Sequence, residues 1–351
     1  MFRSTPRRAI LALALLCWLP CPRIFAADEP PRPLERFAAS DRIMGMDFQL
    51  TFYSPDAESA NRAAKGVFAR IKALNGVFSD YEPESELRKL SATGGTGTFV
   101  PVSDDFAAVL AASRALSERS DGAFDITVGP MVKLWRKSRR SRVRPSEAEI
   151  SAAKALVGNH LIEVDPVTRS VKLAKAGMQL DCGGIAVGYA IDEGLKEFRK
   201  HGVTRALIDG SGDVGVSDAP PGEAGWKVAV APLRPDAPPA ETLLLANAAV
   251  TTSGDAWQHV EIDGVRYSHI VDVKTGLGLT GRAAVTVVAP TAIQADAYAT
   301  AICVLGPERG PRLAEETPGM ACLFLTTRGD EPVVVRTSRW DGYRHPGARQ
   351  P

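Results

Sequence analysis

The sequence predicts an α+β fold of mixed, largely antiparallel sheets with packed helices, in two intimately packed halves. Three observations predict it. Residues 57–78 carry Ala60, Ala63, Ala64, Val67, Phe68, Ile71, Leu74 and Phe78, the three-and-four spacing of an amphipathic helix. From 213 to 290 that period gives way to short β-type runs, with a hairpin signal at Asp263-Gly264. A helical pattern returns over Thr291 to Val304, ahead of strands near 320–336.

Taken in order, the first segment stands apart. Arg3, Arg7 and Arg8 precede an apolar run from Ala9 to Pro20, and Ala26-Ala27 offers small residues for cleavage. That order is expected of a signal peptide over residues 1–27, and the run is too short to span a bilayer. Lipidation at Cys17 or Cys21 is the alternative, disfavoured by Leu16 and Pro20 just ahead of them. The main domain is expected over 28–345, with a tail at 346–351. Met46 to Ser54 alternates as a strand, and a second helix is expected over 103–119. Seven basic residues and Pro145 break the pattern over 133–147, which reads as a loop or helix end, solvated and partly mobile. Two short strands flank the Asp165-Pro166 turn and a third follows up to 181. A helix runs from Gly184 to Lys200 and a strand from Val203 to Asp209. The Pro/Ala-rich stretch 217–241 reads as loose chain.

Charge and cysteine usage narrow the function classes. Without residues 1–26 the chain has 38 basic against 41 acidic residues, no footing for a nucleic-acid partner. Cys182, Cys303 and Cys322 form no CxxC pair and read as small buried hydrophobes, not a disulfide framework or a zinc site. Gly210 to Gly215 matches GxGxxG, yet the chain continues into Val-Ser-Asp-Ala-Pro-Pro, which cannot form the helix a dinucleotide fingerprint needs. These glycines are expected to make a tight turn near a ligand.

Three segments carry chemistry. In LDCGGIAVGYAID (180–192) a strand is expected to end at Asp181, and Gly183-Gly184 opens a helix whose free amides suit a phosphate. Equally, Asp181 is an ordinary helix cap. In IQADAYATAICVLG (293–306) Asp296 and Thr300 stand four apart on a helix, so both oxygens face one way. They make a sparse hard-oxygen set of the kind magnesium completes with water and phosphate oxygens; the plainer reading is a polar stripe. In the segment 251–276, His269 lies in a predicted hairpin with His259. A histidine near neutral pKa is a natural base for a hydroxyl nucleophile, although a lone strand histidine is more often structural.

Read together, these segments resemble the flavin transferases of the ApbE family over roughly residues 42–306. The resembling pieces are IMGMDF (43–48), FSDYEPESELRKLS (78–91), GAFDITVGPMVKLW (122–135), LDCGGIAVGYAID, AVTTSGD (249–255), YSHIVDVKTG (267–276) and ADAYAT (295–300), in the expected order. The resemblance implies an ApbE-like, T-fold-like architecture. It implies magnesium-dependent transfer of the FMN half of FAD onto a Thr or Ser hydroxyl of an extracytoplasmic acceptor protein, with release of AMP. Met44, Tyr81, Ala123, Phe124, Asp125, Asp181, Val187 and Ile270 occupy its FAD-binding positions. Gly184, through its carbonyl, Asp296 and Thr300 occupy its magnesium positions, and His269 that of its base. Adjacent strand side chains point oppositely, so Ile270 is expected to meet FAD through its backbone if His269 faces the reaction.

The sequence departs from the family at three points. Val187 replaces a residue that is usually charged, often lysine, Met46 stands where threonine is common, and Val273 replaces a frequent proline. Two other readings stay open here: a magnesium-dependent FAD pyrophosphatase, and an exported FAD carrier without catalysis. The expected location is the periplasm or another extracytoplasmic space, with membrane association only through lipidation or a membrane-bound acceptor. The basic stretch admits a second reading as a docking surface for an acidic acceptor.

Overall fold

Alternating half-buried and exposed side chains in β1 (Glu35–Ile43), and buried ones at every second position of β2 (Met46–Ser54), form an antiparallel hairpin. Its two turn residues, Met44 and Gly45, both adopt left-handed backbone, φ 55° and 76°, as a tight two-residue turn requires. The computed structural model describes residues 33–347 other than 257 and 330. The expected signal peptide, Cys17 and Cys21, and most of the 346–351 tail lie outside the described residues.

The predicted amphipathic helix is α1 (Ala57–Phe78), whose apolar stripe is buried. The chain continues through α2 (Glu86–Ala92), β3 (Val100–Pro101) and α3 (Asp104–Arg119) to α4 (Gly129–Ser141) and α5 (Glu147–Lys154). Here the sequence reading needs correction. Of the two readings of the basic stretch, the loop fails up to Ser141, and the helix end falls there, with Arg142 as its left-handed cap. Met131, Trp135 and Ser138 form a buried stripe, the Trp135 ring packs tilted 4.9 Å from that of Tyr267, and its indole N–H donates to the Gly276 carbonyl at 2.8 Å. Tertiary packing of one tryptophan face supports a helix that its charges alone would not.

β4 (Ile162–Asp165) and β5 (Ser170–Leu173) form the expected hairpin, but the predicted third strand ending at 181 is irregular chain. Its Asp181 N–H bonds the Ile126 carbonyl at 2.8 Å, outside any ladder. Next come α6 (Ala186–Lys200), β6 (Ala206–Gly210), β7 (Asp213–Val216), β8 (Trp226–Ala229), β9 (Thr242–Leu245) and β10 (Ala248–Gly254). β8 falls inside the stretch read as loose and pairs with β9, burying Trp226. The sequence continues with β11 (His259–Ile262), β12 (Val265–Val271), β13 (Gly278–Thr280), β14 (Ala283–Ala289), α7 (Ala292–Glu315), β15 (Ala321–Arg328) and β16 (Glu331–Arg336). The Asp263-Gly264 turn joins β11 to β12 as expected. Non-helical backbone at Gly306 (φ 76°, ψ 178°) breaks α7, so its first leg matches the predicted helix.

Eight strands form one antiparallel sheet in the order β1-β2-β6-β7-β10-β14-β15-β16. One face buries Phe48, Phe52, Val285 and Val287 with α1, α6 and α7. The other buries Trp226, Leu243, Leu323 and Trp340 beneath β8 and β9. Below that second core, the wholly buried Glu241 carboxylate accepts from Trp340 at 2.9 Å and pairs with Arg336 at 2.6 Å and Arg344 at 2.9 Å. Residues from Leu34 on make one compact unit. Cys182, Cys303 and Cys322 are free and buried, their thiol pKa values pushed up by burial.

Candidate active site

One end of the large sheet gathers the chemistry. Its register sets Phe48 opposite Gly210, Gly210 opposite Asp213, and Gly254 opposite Ala284. The β1–β2 turn with Met44, the β6–β7 turn and the exit of β10 therefore share that end. Ser211 Oγ donates to the Asp47 carbonyl at 3.2 Å, tying the first two turns together. The glycine-rich stretch is the tight turn the sequence predicts, with Ser211 and Gly212 at φ 57° and 106°.

Two helices start above this end and cap one another. The first-turn amides of a helix lack partners within it, and neither α6 nor α7 has its own side-chain cap. Instead the Gly188 N–H of α6 donates to Asp296 Oδ2 of α7 at 3.0 Å. In return Asp192 of α6 accepts from the Ala292 and Ile293 amides of α7 at 2.8 and 2.9 Å. Glycine makes this crossing possible. A Cβ at Gly188 would lie 2.2 Å from the Ala292 carbonyl oxygen.

The same crossing brings the three expected metal positions together. A Cβ at Gly184 would lie 2.9 Å from Thr300 Oγ1 and 3.5 Å from the Phe124 ring. Thr300 is one helical turn beyond the buried Asp296 and its hydroxyl lies 3.3 Å from Ser253 Oγ. Sequence reasoning missed Asp213, at the start of β7. Burial raises the pKa of Asp296, and the Asp213 charge raises it further. Burial likewise raises Asp213, with Asp209 adding to it. Beside Asp213, the buried Thr251 Oγ1 makes no hydrogen bond of ordinary geometry. The available signal was an acid directly after a tight glycine turn, which the failed dinucleotide motif obscured.

This donor set fits a hard divalent cation. Asp296 and Thr300 supply a carboxylate and a hydroxyl, Gly184 leaves space beside them, and two neighbouring carboxylates repel until a cation joins them. Among the described residues no three His, Cys, Asp or Glu side chains are arranged to hold a metal. The sparse set suits an ion that completes its shell with other oxygens.

Asp181 belongs to an adjoining cluster. Its Oδ1 accepts from Gly183 N–H at 2.8 Å, and Arg136 of α4 reaches its Oδ2 at 3.5 Å while pairing with Asp80. Burial raises the Asp181 pKa and the Asp80 charge adds to the rise, opposed by the Gly183 amide and Arg136. Tyr81 is 75% exposed, its ring covered on one face by the Arg136 guanidinium 5.0 Å away. A mostly exposed aromatic ring braced by a cation is a platform for a planar ligand.

The remaining positions divide. Ala123 and Phe124 are buried, with Phe124 against Gly184. The Asp125 carboxylate accepts from the Thr127 amide and hydroxyl at 2.9 and 2.7 Å, a local cap. Val187 packs in the core against Gly210. Ile270 is buried, and its N–H donates to Ser268 Oγ at 3.1 Å.

His269 is half-buried on β12, whose Arg266 pairs with Asp255 at the exit of β10. His269 N and Nδ1 both lie 3.1 Å from the Gln258 carbonyl. A carbonyl only accepts, so this partner assigns the proton to Nδ1 and leaves Nε2 as an acceptor. Arg139 of α4 donates to Gln258 Oε1 at 3.2 Å. Burial lowers the His269 pKa below 6.5 and Arg139 lowers it further, while the Gln258 carbonyl and Asp255 oppose.

Comparison with known proteins bears on the family and the fold. The model of the ApbE family matches residues 44–324. The chain belongs to the ApbE family. An FAD:protein FMN transferase of Klebsiella pneumoniae is 31% identical over 315 residues, 88% of this chain and 96% of that protein. The FAD:protein FMN transferase of Escherichia coli is 28% identical over 338 residues, covering 93% and 94%. The crystal structure of the Pseudomonas stutzeri flavinyl transferase ApbE, apo form, superposes with a TM-score of 0.79 at 31% identity, covering 90% of this chain and 98% of its own. This ApbE-family chain shares their mixed, antiparallel α+β fold.

Proposed function

We propose that this chain is an FAD:protein FMN transferase that moves the FMN half of FAD onto a Thr or Ser hydroxyl of an acceptor protein, releasing AMP. The relatives named for that reaction span nearly the whole chain. The observation that carries the finer reading is the meeting of Gly184, Asp296 and Thr300 at the crossing of α6 and α7.

Asp296, Thr300 and the Gly184 carbonyl would hold magnesium. Magnesium there supplies positive charge to offset what develops on the pyrophosphate as AMP leaves. Tyr81 offers an exposed aromatic ring, and Asp181 polar anchorage, for the dinucleotide, with Phe124 buried beside Gly184. The reaction is an in-line displacement in which the hydroxyl oxygen forms a bond to the FMN phosphorus and the bond to the AMP oxygen breaks. Positioning supplies much of such a rate. His269 Nε2, kept neutral by burial, takes the hydroxyl proton, a contribution on the order of 10²–10⁴ in rate. The arginine-led apolar segment at residues 1–27 supports export and an extracytoplasmic acceptor.

Asp296→Asn tests the reading. Asparagine keeps an acceptor for Gly188 N–H but loses the charge. Expected are loss of magnesium-dependent AMP release from FAD, loss of the thermal shift caused by magnesium, and a folded chain. Undiminished magnesium-dependent release refutes the metal assignment. His269→Ala is expected to keep FAD binding and lose flavin attachment, read as the added mass of FMN on a co-expressed acceptor. Normal attachment by that variant removes His269 from the reaction.

A further inference from the structure

We infer that the outer face of α4 is the docking surface for an acidic segment of the acceptor protein. The inference rests on the transferase reading above and adds the chemistry of the partner. Along α4, Arg136 and Arg139 flank the buried stripe on one side, and Lys133, Lys137 and Arg140 follow at helical spacing around the solvent side. Lys137 pairs with Glu149 at 3.1 Å. Lys133, Arg139 and Arg140 have no carboxylate partner among the described residues. The exposed acids Glu147 and Glu149 at the start of α5 are already engaged by Arg144 and Lys137.

The fold does not need this charge. Trp135 and Met131 hold α4 in place. Like charges three or four residues apart on one helix repel and disfavour it. Only Arg139 and Arg140, in the last turn, gain from the helix dipole.

Position adds the second argument. Through Arg136, α4 touches Tyr81 and Asp181, and through Arg139 and Gln258 it adjoins His269. The cationic face is thus continuous with both the dinucleotide platform and the base. A polypeptide bringing its hydroxyl to His269 Nε2 runs beside that face, and glutamates or aspartates next to the hydroxyl would meet Lys133 and Arg140.

The test uses the full chain with FAD and magnesium and two fluorescein-labelled peptides. Each carries one threonine, flanked by glutamates in one and by glutamines in the other. Binding is read by anisotropy. The glutamate peptide is expected to bind on the order of tenfold more tightly at low salt, the difference shrinking as salt rises. Lys133→Gln with Arg140→Gln is expected to weaken it about three- to tenfold, with AMP release in the absence of peptide unchanged. Equal binding of both peptides, or a full preference kept by the double variant, overturns the inference. So does capture of the chain by anionic lipid vesicles without peptide discrimination. Absence of AMP release by the unaltered chain would instead strike the transferase reading, while the peptide preference still reports on α4.

Discussion

Substituting Gly188 by alanine tests whether the close crossing of α6 and α7 builds the site. The added Cβ would lie 2.2 Å from the Ala292 carbonyl oxygen, 2.6 Å from its carbon and 2.9 Å from Asp296 Cβ. Two of these obstacles are backbone, so no rotamer change relieves them. The helices must separate by on the order of 1 Å to restore ordinary contact distances. Overpacking of this kind costs about 1–3 kcal/mol, offset by up to about 1 kcal/mol from alanine's better helix propensity. The net effect lowers Tm by up to about 5 °C for a chain of this size. The functional effect is larger than the thermal one, because separation draws Gly184 away from Thr300 and the Gly188 amide away from Asp296. Thermal unfolding and AMP release titrated with magnesium measure the two effects separately. The expected result is a folded protein that needs roughly tenfold or more magnesium for half-maximal rate, a geometric penalty like those of misplaced catalytic groups. A variant with unchanged Tm and unchanged magnesium dependence refutes the reasoning.

Other consequences follow from the same contacts. His269 must be neutral to accept a proton, so transfer rises with pH through a pKa lying below 6.5. Arg139→Gln removes one cause of that depression and moves the rising limb to higher pH; a pH–rate profile that stays in place argues against the contact. Glu241→Ala leaves Arg336, Arg344 and Trp340 without their shared buried acceptor, and loses about 3–5 kcal/mol of stability. Chemical denaturation measures it, and a loss below about 1 kcal/mol contradicts the role of that network. Because this cluster lies on the opposite face of the sheet from α6 and α7, the surviving folded fraction keeps its AMP release.

The elements that carry one clear period were legible from sequence. α1, α3, the first leg of α7 and the β11–β12 hairpin each signal their own conformation locally. α4 did not, because its packing rests on Trp135 and Met131 meeting Tyr267 and Val271, far along the chain. β1 was equally opaque: Glu35, Arg36, Asp41 and Arg42 give an edge strand few buried side chains to announce it. At the site, the joint motif pattern marked Gly184, Asp296 and Thr300, and the fold brings them together. Asp213 escaped because its closeness to Asp296 depends on strand order across the sheet. Nor can any sequence period show that Asp192 and Asp296 exchange caps, since each reaches across 100 or more residues.

That exchange of caps has a bearing on which ion the site selects. Asp296 Oδ2 already accepts from the amide of Gly188, which leaves Oδ1 the less encumbered oxygen. Calcium commonly takes both oxygens of a carboxylate, whereas magnesium is content with one. A bidentate grip on Asp296 would unfasten the beginning of α6, and a single-oxygen grip would leave it intact. On the magnesium reading proposed above, discrimination between the two alkaline earths would reside in the backbone amide of Gly188.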